Sequence, residues 1–241
     1  LANGIAKKLV EIKRDMEYAF LGNTDADVES GTQNPYITKA MGSFLASGGT
    51  NTSTDDIVVP ADFRTPSGSI ETTATASLTE AKVQDVLKSI YNTTGTIRDY
   101  DLLCGPTLKR VFTNFTQSAT GSNDRLAIKT FNQSASEKSY INVIDLFEGD
   151  FGRLRLHPTV HINTTATTGS STTKTTHGQT TTAAPFKGYV IPFDQVEIRY
   201  GKLPQIKELT DNGGGPTRLI EAMAALVVYN PSAFGFFNAT S

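Results

Sequence analysis

Two histidines are the first candidates for chemistry in this sequence, and their surroundings favour an ordinary surface pair. His157 and His161 lie four residues apart, but Pro158 between them opposes a helix. On a strand the two rings would share a face at a long separation. No cysteine or carboxylate stands at zinc spacing beside them, so the pair is not predicted to hold a metal.

Cys104 is the only cysteine, which excludes an internal disulfide framework and fits a reducing compartment. It adjoins Gly105-Pro106 at a predicted helix start, where a thiolate would be stabilised. A buried, apolar cysteine at the end of a strand is the simpler interpretation. Gly213-Gly214-Gly215 lacks a following Lys-Ser/Thr pair, so it is not a phosphate-binding loop.

An acidic loop and several glycosylation-type sequences complete the candidates. Asp25, Asp27 and Glu29 alternate as in a calcium loop, but Ser30 and Tyr36 stand where an EF-hand needs Gly and Glu. Six Asn-x-Ser/Thr sequences of the type used for N-glycosylation begin at Asn51, Asn92, Asn114, Asn132, Asn163 and Asn238. In so Thr-rich a chain, chance occurrence is favoured over glycosylation of a secreted protein. The sequence therefore predicts no catalytic residue, no cofactor and no metal ligand.

Composition limits the kind of partner that the chain can have. Its 241 residues suffice for one large domain or two small ones, and a net charge of −2 gives no overall basic surface. Small basic spots at Lys109-Arg110 and at Arg125 with Lys129 could touch DNA phosphates or an acidic neighbour, although a solvated surface is simpler. No apolar run reaches membrane-spanning length, and no secretory signal is visible. Only 38% of the residues are hydrophobic, which suits a loop-rich subunit stabilised partly by neighbours.

Three helices are predicted to position these residues. Residues 4–21 carry one apolar stripe and stop at Gly22; the stripe comprises Ile5, Leu9, Ile12, Met16 and Ala19. Residues 79–92 follow an N-cap at Thr79, with Leu78 and Val83 as a hydrophobic staple and Gly95 just beyond the end. A third helix begins at Gly105-Pro106 and buries Leu108, Val111, Phe112 and Phe115.

Strands are predicted in the remaining apolar stretches. Residues 100–104 form a short buried strand, and residues 140–147 and 151–162 form a hairpin around Glu148-Gly149-Asp150. Residues 163–183 hold eleven threonines and are predicted to be an exposed or partly ordered loop.

The C-terminal stretch predicts a long antiparallel pair of strands. Residues 196–200 alternate apolar and charged side chains, and residues 211–216 (DNGGGP) break the chain. The run from Leu219 to Tyr229 favours a strand, but its good helix formers leave a helix open.

Several of these stretches resemble one known family. "RLIEAMAALVVYNPSAFGFF" is similar to the last strand and tail of tailed-phage major capsid proteins of the HK97-like fold, with Glu221 near the strand start and Tyr229-Asn230-Pro231 leading into the tail. "LTEAKVQDVLKSIYNTTG" with "DYDLLCGPTLKRVF" resembles the axial domain of those proteins, and "DLFEGDFGRLRLHPTVHI" resembles their aromatic-rich turn.

The resemblance implies an α+β fold with two domains. A spine helix over an antiparallel sheet forms the peripheral domain, and an α/β axial domain stands beside it. Residues 1–62 would hold the spine helix and first peripheral segment, 63–186 the axial domain with its Thr-rich loop, 187–229 the peripheral β-hairpin, and 230–241 a tail returning to the axial domain.

The resemblance also implies a structural function without catalysis. The chain would self-assemble into hexamers and pentamers of an icosahedral shell that encloses double-stranded DNA, within the virion, after assembly in the host cytoplasm. Scaffold, portal and decoration proteins are further partners of such shells. The family's N-terminal arm and extended loop are missing, so we expect them in a longer gene product, of which this would be a processed or truncated form, or replaced by other proteins. The alternative is an extracellular β-rich adhesion or glycan-binding module, suggested by the Thr-rich loop and the Asn-x-Ser/Thr sequences.

Overall fold

The computed structural model describes residues 2–22, 38–45, 61–73, 77–115, 144–162, 173–176, 179–182, 186–210, 213 and 217–238. The helices are α1 (Ala2–Phe20), α2 (Met41–Leu45), α3 (Glu80–Thr94) and α4 (Pro106–Phe115). The strands are β1 (Ile70–Glu71), β2 (Arg98–Cys104), β3 (Leu146–Gly149), β4 (Gly152–Pro158), β5 (Thr173–Thr176), β6 (Gln179–Thr182), β7 (Phe186–Ile191), β8 (Val196–Glu208), β9 (Arg218–Val228) and β10 (Gly235–Asn238). The predicted α+β class is confirmed.

The chain divides into two compact units, each built from several segments. The hairpin unit comprises Leu1–Arg64, Ser171–Ala184 and Asp194–Pro231. The sheet unit comprises Thr65–Ser170, Pro185–Phe193 and Ser232–Ser241.

The sheet unit is organised around a mixed six-stranded sheet in the order β1-β10-β7-β2-β4-β3. β2 and β4 run parallel, with Tyr100 opposite Leu154 and Leu102 opposite Leu156. β3 and β4 pair antiparallel and form the predicted hairpin around Glu148-Gly149-Asp150. Side chains on β4 alternate as expected, because Leu154 and Leu156 are buried while Arg153 and Arg155 are exposed.

Helices α3 and α4 supply the other half of the sheet unit's core. α3 presents the predicted apolar face, and Gly95 ends it with φ +68°, its N–H donating to the Tyr91 carbonyl at 2.7 Å. Thr79 stands at the N-cap without a side-chain cap hydrogen bond. From α4, the fully buried Phe112 meets Phe147 and Phe237 edge-on, with ring centroids 5.8 and 6.3 Å apart. Such edge-to-face pairs are favourable beyond their buried area.

β7 occupies the middle of this sheet, between β10 and β2. The predicted boundary at residue 187 instead put this stretch with the C-terminal hairpin. Gly188 explains why the strand fits here, because a Cβ at that position would lie 2.8 Å from Leu108 Cδ2 and 3.0 Å from the Leu103 carbonyl. A side chain would therefore hold β7 away from β2.

The hairpin unit contains the long antiparallel pair of β8 and β9, a separate two-stranded sheet among the described residues. The stretch from residue 219 is thus a strand, which resolves the helix alternative. Regular pairing runs from Val196 opposite Val228 to Tyr200 opposite Ala224, and the register then shifts twice before Gln205 meets Glu221. α1 and α2 pack against β9. The predicted apolar stripe of α1 is only half-buried; it comprises Ile5, Leu9, Ile12, Met16 and Ala19.

Two short strands replace part of the predicted Thr-rich loop. β5 and β6 pair antiparallel, with Thr173 opposite Thr182 and Thr176 opposite Gln179. Threonine is β-branched and suits a strand even where no core-forming side chain is present. This stretch also belongs to the hairpin unit, whereas the resemblance implied a place with residues 63–186.

Candidate assembly surface

The β8–β9 hairpin carries an unusual share of the exposed apolar side chains. Eight of the fourteen large hydrophobic residues that are exposed among the described residues lie between 196 and 229. They are Ile198, Tyr200, Leu203, Ile206, Leu209, Leu219, Met223 and Tyr229. Exposed apolar side chains that cluster in this way mark surfaces used for contacts with other molecules.

The two faces of this hairpin differ in chemistry, because residues paired across the strands share a face. One face is mostly apolar and ends at the Glu208–Arg218 ion pair; its apolar side chains are Val196, Ile198, Tyr200, Ile206, Ile220, Ala224, Leu226 and Val228. Leu226 is 7% exposed, and its N–H donates to Thr38 Oγ1 at 3.4 Å. On β8, by contrast, Ile198 and Ile206 of the same face are each 44% exposed. Among the residues described, the apolar face is thus covered at Leu226 on β9 and open along β8.

The opposite face is held by charged clusters, of which the larger centres on Glu221. Its carboxylate accepts from Lys202 Nζ at 2.7 Å, Lys207 Nζ at 2.5 Å and Gln205 Nε2 at 3.2 Å. The hydrogen bonds from Lys202 and Lys207 lower the pKa of Glu221 to about 2. Lys202 stands between the two register shifts and the other two donors lie beyond them, so one carboxylate joins the middle of the irregular stretch to the regular pairing that follows it.

A smaller cluster lies at the regular end of the same face. Arg199 contacts both oxygens of Glu197 at 3.4 Å and donates to the Tyr229 hydroxyl at 3.0 Å. Tyr229 in turn donates to Glu197, and these hydrogen bonds lower the pKa of the carboxyl of Glu197. Since Glu197 and Arg199 are 46% and 61% exposed, the pair is available for exchange with other charges.

The sheet unit has its own row of charges, across β2, β4 and β3. Asp101 lies 2.7 Å from His157 Nε2, Asp99 Oδ2 accepts from Arg155 at 3.3 Å, and Glu148 Oε1 accepts from Arg153 at 2.8 Å. Each acid has a basic partner on a neighbouring strand. This row therefore offers no unbalanced basic patch for phosphates.

The two candidate histidines lie in different elements of the structure. His157 lies near the end of β4 and pairs with Asp101, while His161 lies in the 3₁₀ turn Val160–Ile162. Within the described ranges no three His, Cys, Asp or Glu side chains form a metal cluster. Asp25, Asp27, Glu29, Arg125 and Lys129 lie outside those ranges.

Cys104 is buried in the core of the sheet unit, as the simpler interpretation predicted. Burial raises the pKa of its thiol to about 11, opposed by the charge of Lys109. Its Sγ donates weakly to the His157 carbonyl at 3.9 Å. A thiol with this pKa is protonated near neutral pH and is a poor nucleophile.

Lys109 and two of the Asn-x-Ser/Thr sites have structural explanations. Lys109 donates to Asp145 Oδ1 at 2.7 Å and to the Ile144 carbonyl, which fastens α4 to the start of β3.

Asn92 lies near the end of α3 and Asn114 lies inside α4, as predicted. No sequence pattern indicated the Glu221 cluster or the charge row on β2, β4 and β3. Asp99 and Asp101 alternate along β2, as Arg153 and Arg155 do along β4. This alternation indicates a charge row only once it is known that the two strands pair.

Comparison with protein families defines the class of this protein as a major capsid protein of phages. The matching family model, described as SU10 major capsid protein, covers residues 1–241, so the chain belongs to that family. The resemblance drawn from the sequence is thereby confirmed. Membership of a capsid protein family argues against the alternative of an adhesion module. No curated protein sequence matches the chain.

Family membership confirms the predicted function at a general level. A major capsid protein is a structural component of the virion that self-assembles into a shell. Among the described residues, no helix is both long and apolar enough to span a membrane.

Proposed function

We propose that the chain is the subunit of an icosahedral shell with the HK97-like fold, built from hexamers and pentamers around double-stranded DNA. The main support for this proposal is the concentration of exposed apolar side chains on β8 and β9 in a chain of the SU10 major capsid protein family. A lone subunit would hold these side chains in water, whereas a shell covers them in contacts between copies.

In this proposal the hairpin unit is the peripheral domain and α1 is its spine helix. α1 packs against β9, and its apolar stripe is half-buried there. A helix that crosses one face of a long hairpin is what the family pattern requires. The half-exposed stripe supports further contacts of α1 in the assembled shell.

The sheet unit is the axial domain of the proposal. Its helices α3 and α4, with the strand β2 between them, follow the predicted order, and residues from 232 onward cluster with it. That clustering supports the expectation that the segment 230–241 returns to the axial domain. The loops of this unit would meet at the centres of hexamers and pentamers.

The interior of such a shell encloses DNA without recognising its sequence. The net charge of −2 and the pairing of acidic with basic side chains on β2, β4 and β3 suit a wall that does not bind phosphates tightly. No catalytic step is part of the function. Assembly in the host cytoplasm and contacts with scaffold, portal or decoration proteins belong to the same proposal.

The test is negative-stain microscopy with mass by light scattering across a concentration series of the purified protein. Rings of five and six copies, or closed shells with five- and sixfold vertices, are expected because obligate contacts bury roughly 2,000–5,000 Å² each. A protein that stays monomeric at the highest concentration would contradict the proposal. Open filaments or tubes with a single kind of ring would contradict the icosahedral arrangement alone.

A further inference from the structure

The outer edge of β8 offers, in a regular stretch, backbone groups that have no partner among the described residues. The N–H of Tyr229 donates to the Gln195 carbonyl at 3.0 Å, which makes these two residues a hydrogen-bonded pair. Hydrogen-bonded pairs alternate with non-hydrogen-bonded pairs along an antiparallel ladder. The backbone N–H and C=O groups of Glu197 and Arg199 therefore point toward β9. The backbone groups of Val196, Ile198 and Tyr200 therefore point away from β9.

The same alternation on β9 confirms this geometry independently. Leu226 stands opposite Ile198, so its N–H must point to the outer edge of β9, and there it donates to Thr38 Oγ1. Along β8, by contrast, no described residue accepts from or donates to the outward backbone groups of Val196, Ile198 and Tyr200. An extended edge of this kind is a template for another strand.

We propose that this edge pairs antiparallel with the same edge of a second copy, across a two-fold axis at Ile198. The proposal rests on the self-assembly proposed above and names one of its contacts. It is limited to Val196–Tyr200, because the 3₁₀ turn Phe193–Gln195 precedes this stretch and a register shift follows Tyr200.

The charges along the edge are complementary to themselves in this arrangement. With Ile198 opposite its own copy, Glu197 faces Arg199 of the second copy, and the reverse pair forms as well. These positions are non-hydrogen-bonded pairs of the new ladder, where side chains approach most closely. A parallel arrangement, or a shift by two residues, would lose this match of opposite charges.

The apolar face is complementary in the same register. Ile198 would pack on Ile198 of the second copy, and Val196 on Tyr200. Ile198 and Tyr200 are 44% and 46% exposed in the single chain. About six backbone hydrogen bonds would join the two hairpins into one four-stranded sheet.

Thiol-specific cross-linking of assembled protein with a short bis-maleimide tests the register directly. Ile198→Cys should give a cross-linked dimer, because the Cα atoms of a hydrogen-bonded pair stand about 5.5 Å apart, within reach of the linker. Ile206→Cys is the matched control: it lies on the same face of the same strand with the same 44% exposure. It would be far from its counterpart and should remain monomeric on a denaturing gel.

Failure of this proposal can be told from failure of the shell proposal. If wild-type protein assembles but Ile198→Cys gives no dimer, or if both variants cross-link equally, the β8 edge contact is wrong and the shell stands. If wild-type protein does not assemble at all, both proposals fail. The buried Cys104 supplies no competing thiol.

A charge exchange provides the second measurement. Arg199→Glu places like charges opposite each other at two positions and should lower the yield of the Ile198→Cys dimer about tenfold. Adding Glu197→Arg restores opposite charges and should restore the yield. Since both side chains are largely exposed, the melting temperature should change little. A double exchange that fails to recover the dimer would overturn the charge-matched register.

Discussion

The sheet unit and the hairpin unit place their apolar side chains in opposite ways. In the sheet unit, α3, α4 and five strands enclose one core, in which Phe112, Leu102 and Leu154 have no exposed area. In the hairpin unit, β8 and β9 leave Leu203 and Met223 67% and 62% exposed. The first unit encloses a core of its own, whereas the second holds most of the exposed large apolar side chains among the described residues.

The strongest way to sharpen this comparison is to truncate one aromatic residue in each unit. Phe112→Ala should lower the free energy of unfolding by about 3–5 kcal/mol, because it leaves a cavity among three neighbouring rings. Tyr200→Ala should change it by less than about 0.5 kcal/mol, since the side chain is 46% exposed. Urea unfolding of dilute, unassembled protein measures both. Equal losses would remove the distinction between the units.

Cys104 reports whether the core of the sheet unit opens. Its buried thiol, with a pKa of about 11, should react with a thiol reagent at pH 8 at least about tenfold more slowly than the same cysteine in urea. Raising the pH through 11 should speed the reaction only as the thiol ionises. Fast labelling of the native protein at pH 8 would show that this core is open to solvent.

Acid should loosen the hairpin unit through Glu221. The pKa of this carboxyl is lowered from 4.5 to about 2 by Lys202 and Lys207, so the folded state favours its charged form. The stabilisation is complete above pH 4.5 and is lost as the pH falls toward 2. Hydrogen-exchange protection of β8 and β9 amides should drop a few-fold over that range. Glu221→Gln should weaken this pH dependence and leave the part that comes from Glu197, and a profile identical to wild type would argue against the cluster.

The smallest effect is expected on the charge row of the sheet unit. Asp99 and Arg155 are 52% and 58% exposed, so a double-mutant cycle with alanine at both positions should give a coupling of about 0.2–1 kcal/mol. High salt should reduce it further. A coupling of several kcal/mol would mean that this surface is shielded from water, which would place it within an interface.

Local patterns in the sequence predicted most elements, because each depends on neighbours along the chain. The apolar stripe of α1, the face of α3 with Gly95 at its end, and the alternation on β4 all appear within a few residues. Pairing between distant segments could not be obtained in this way. β7 joins β2 and β10 because Gly188 permits a close approach to Leu108 and Leu103, and no local pattern encodes that neighbour.

The candidate surfaces show the same limit. Glu221 was notable in the sequence only as an acid within an apolar strand, whereas its role depends on three side chains of β8 across two register shifts. The Thr-rich stretch was predicted to be a loop because it has no core-forming residues. Its strands β5 and β6 depend on backbone pairing and on threonine's preference for extended structure.

The position of β10 in the sheet has a consequence for synthesis on the ribosome. β1, near residue 70, pairs only with β10 among the described strands, and Phe237 completes the core around Phe112. The sheet unit therefore cannot close until residues 235–238 have been translated, long after β2 and α3 have emerged. A chain that stops early lacks the last strand and leaves Phe112 uncovered. Premature termination products would fail to fold, which would keep them out of the growing particle.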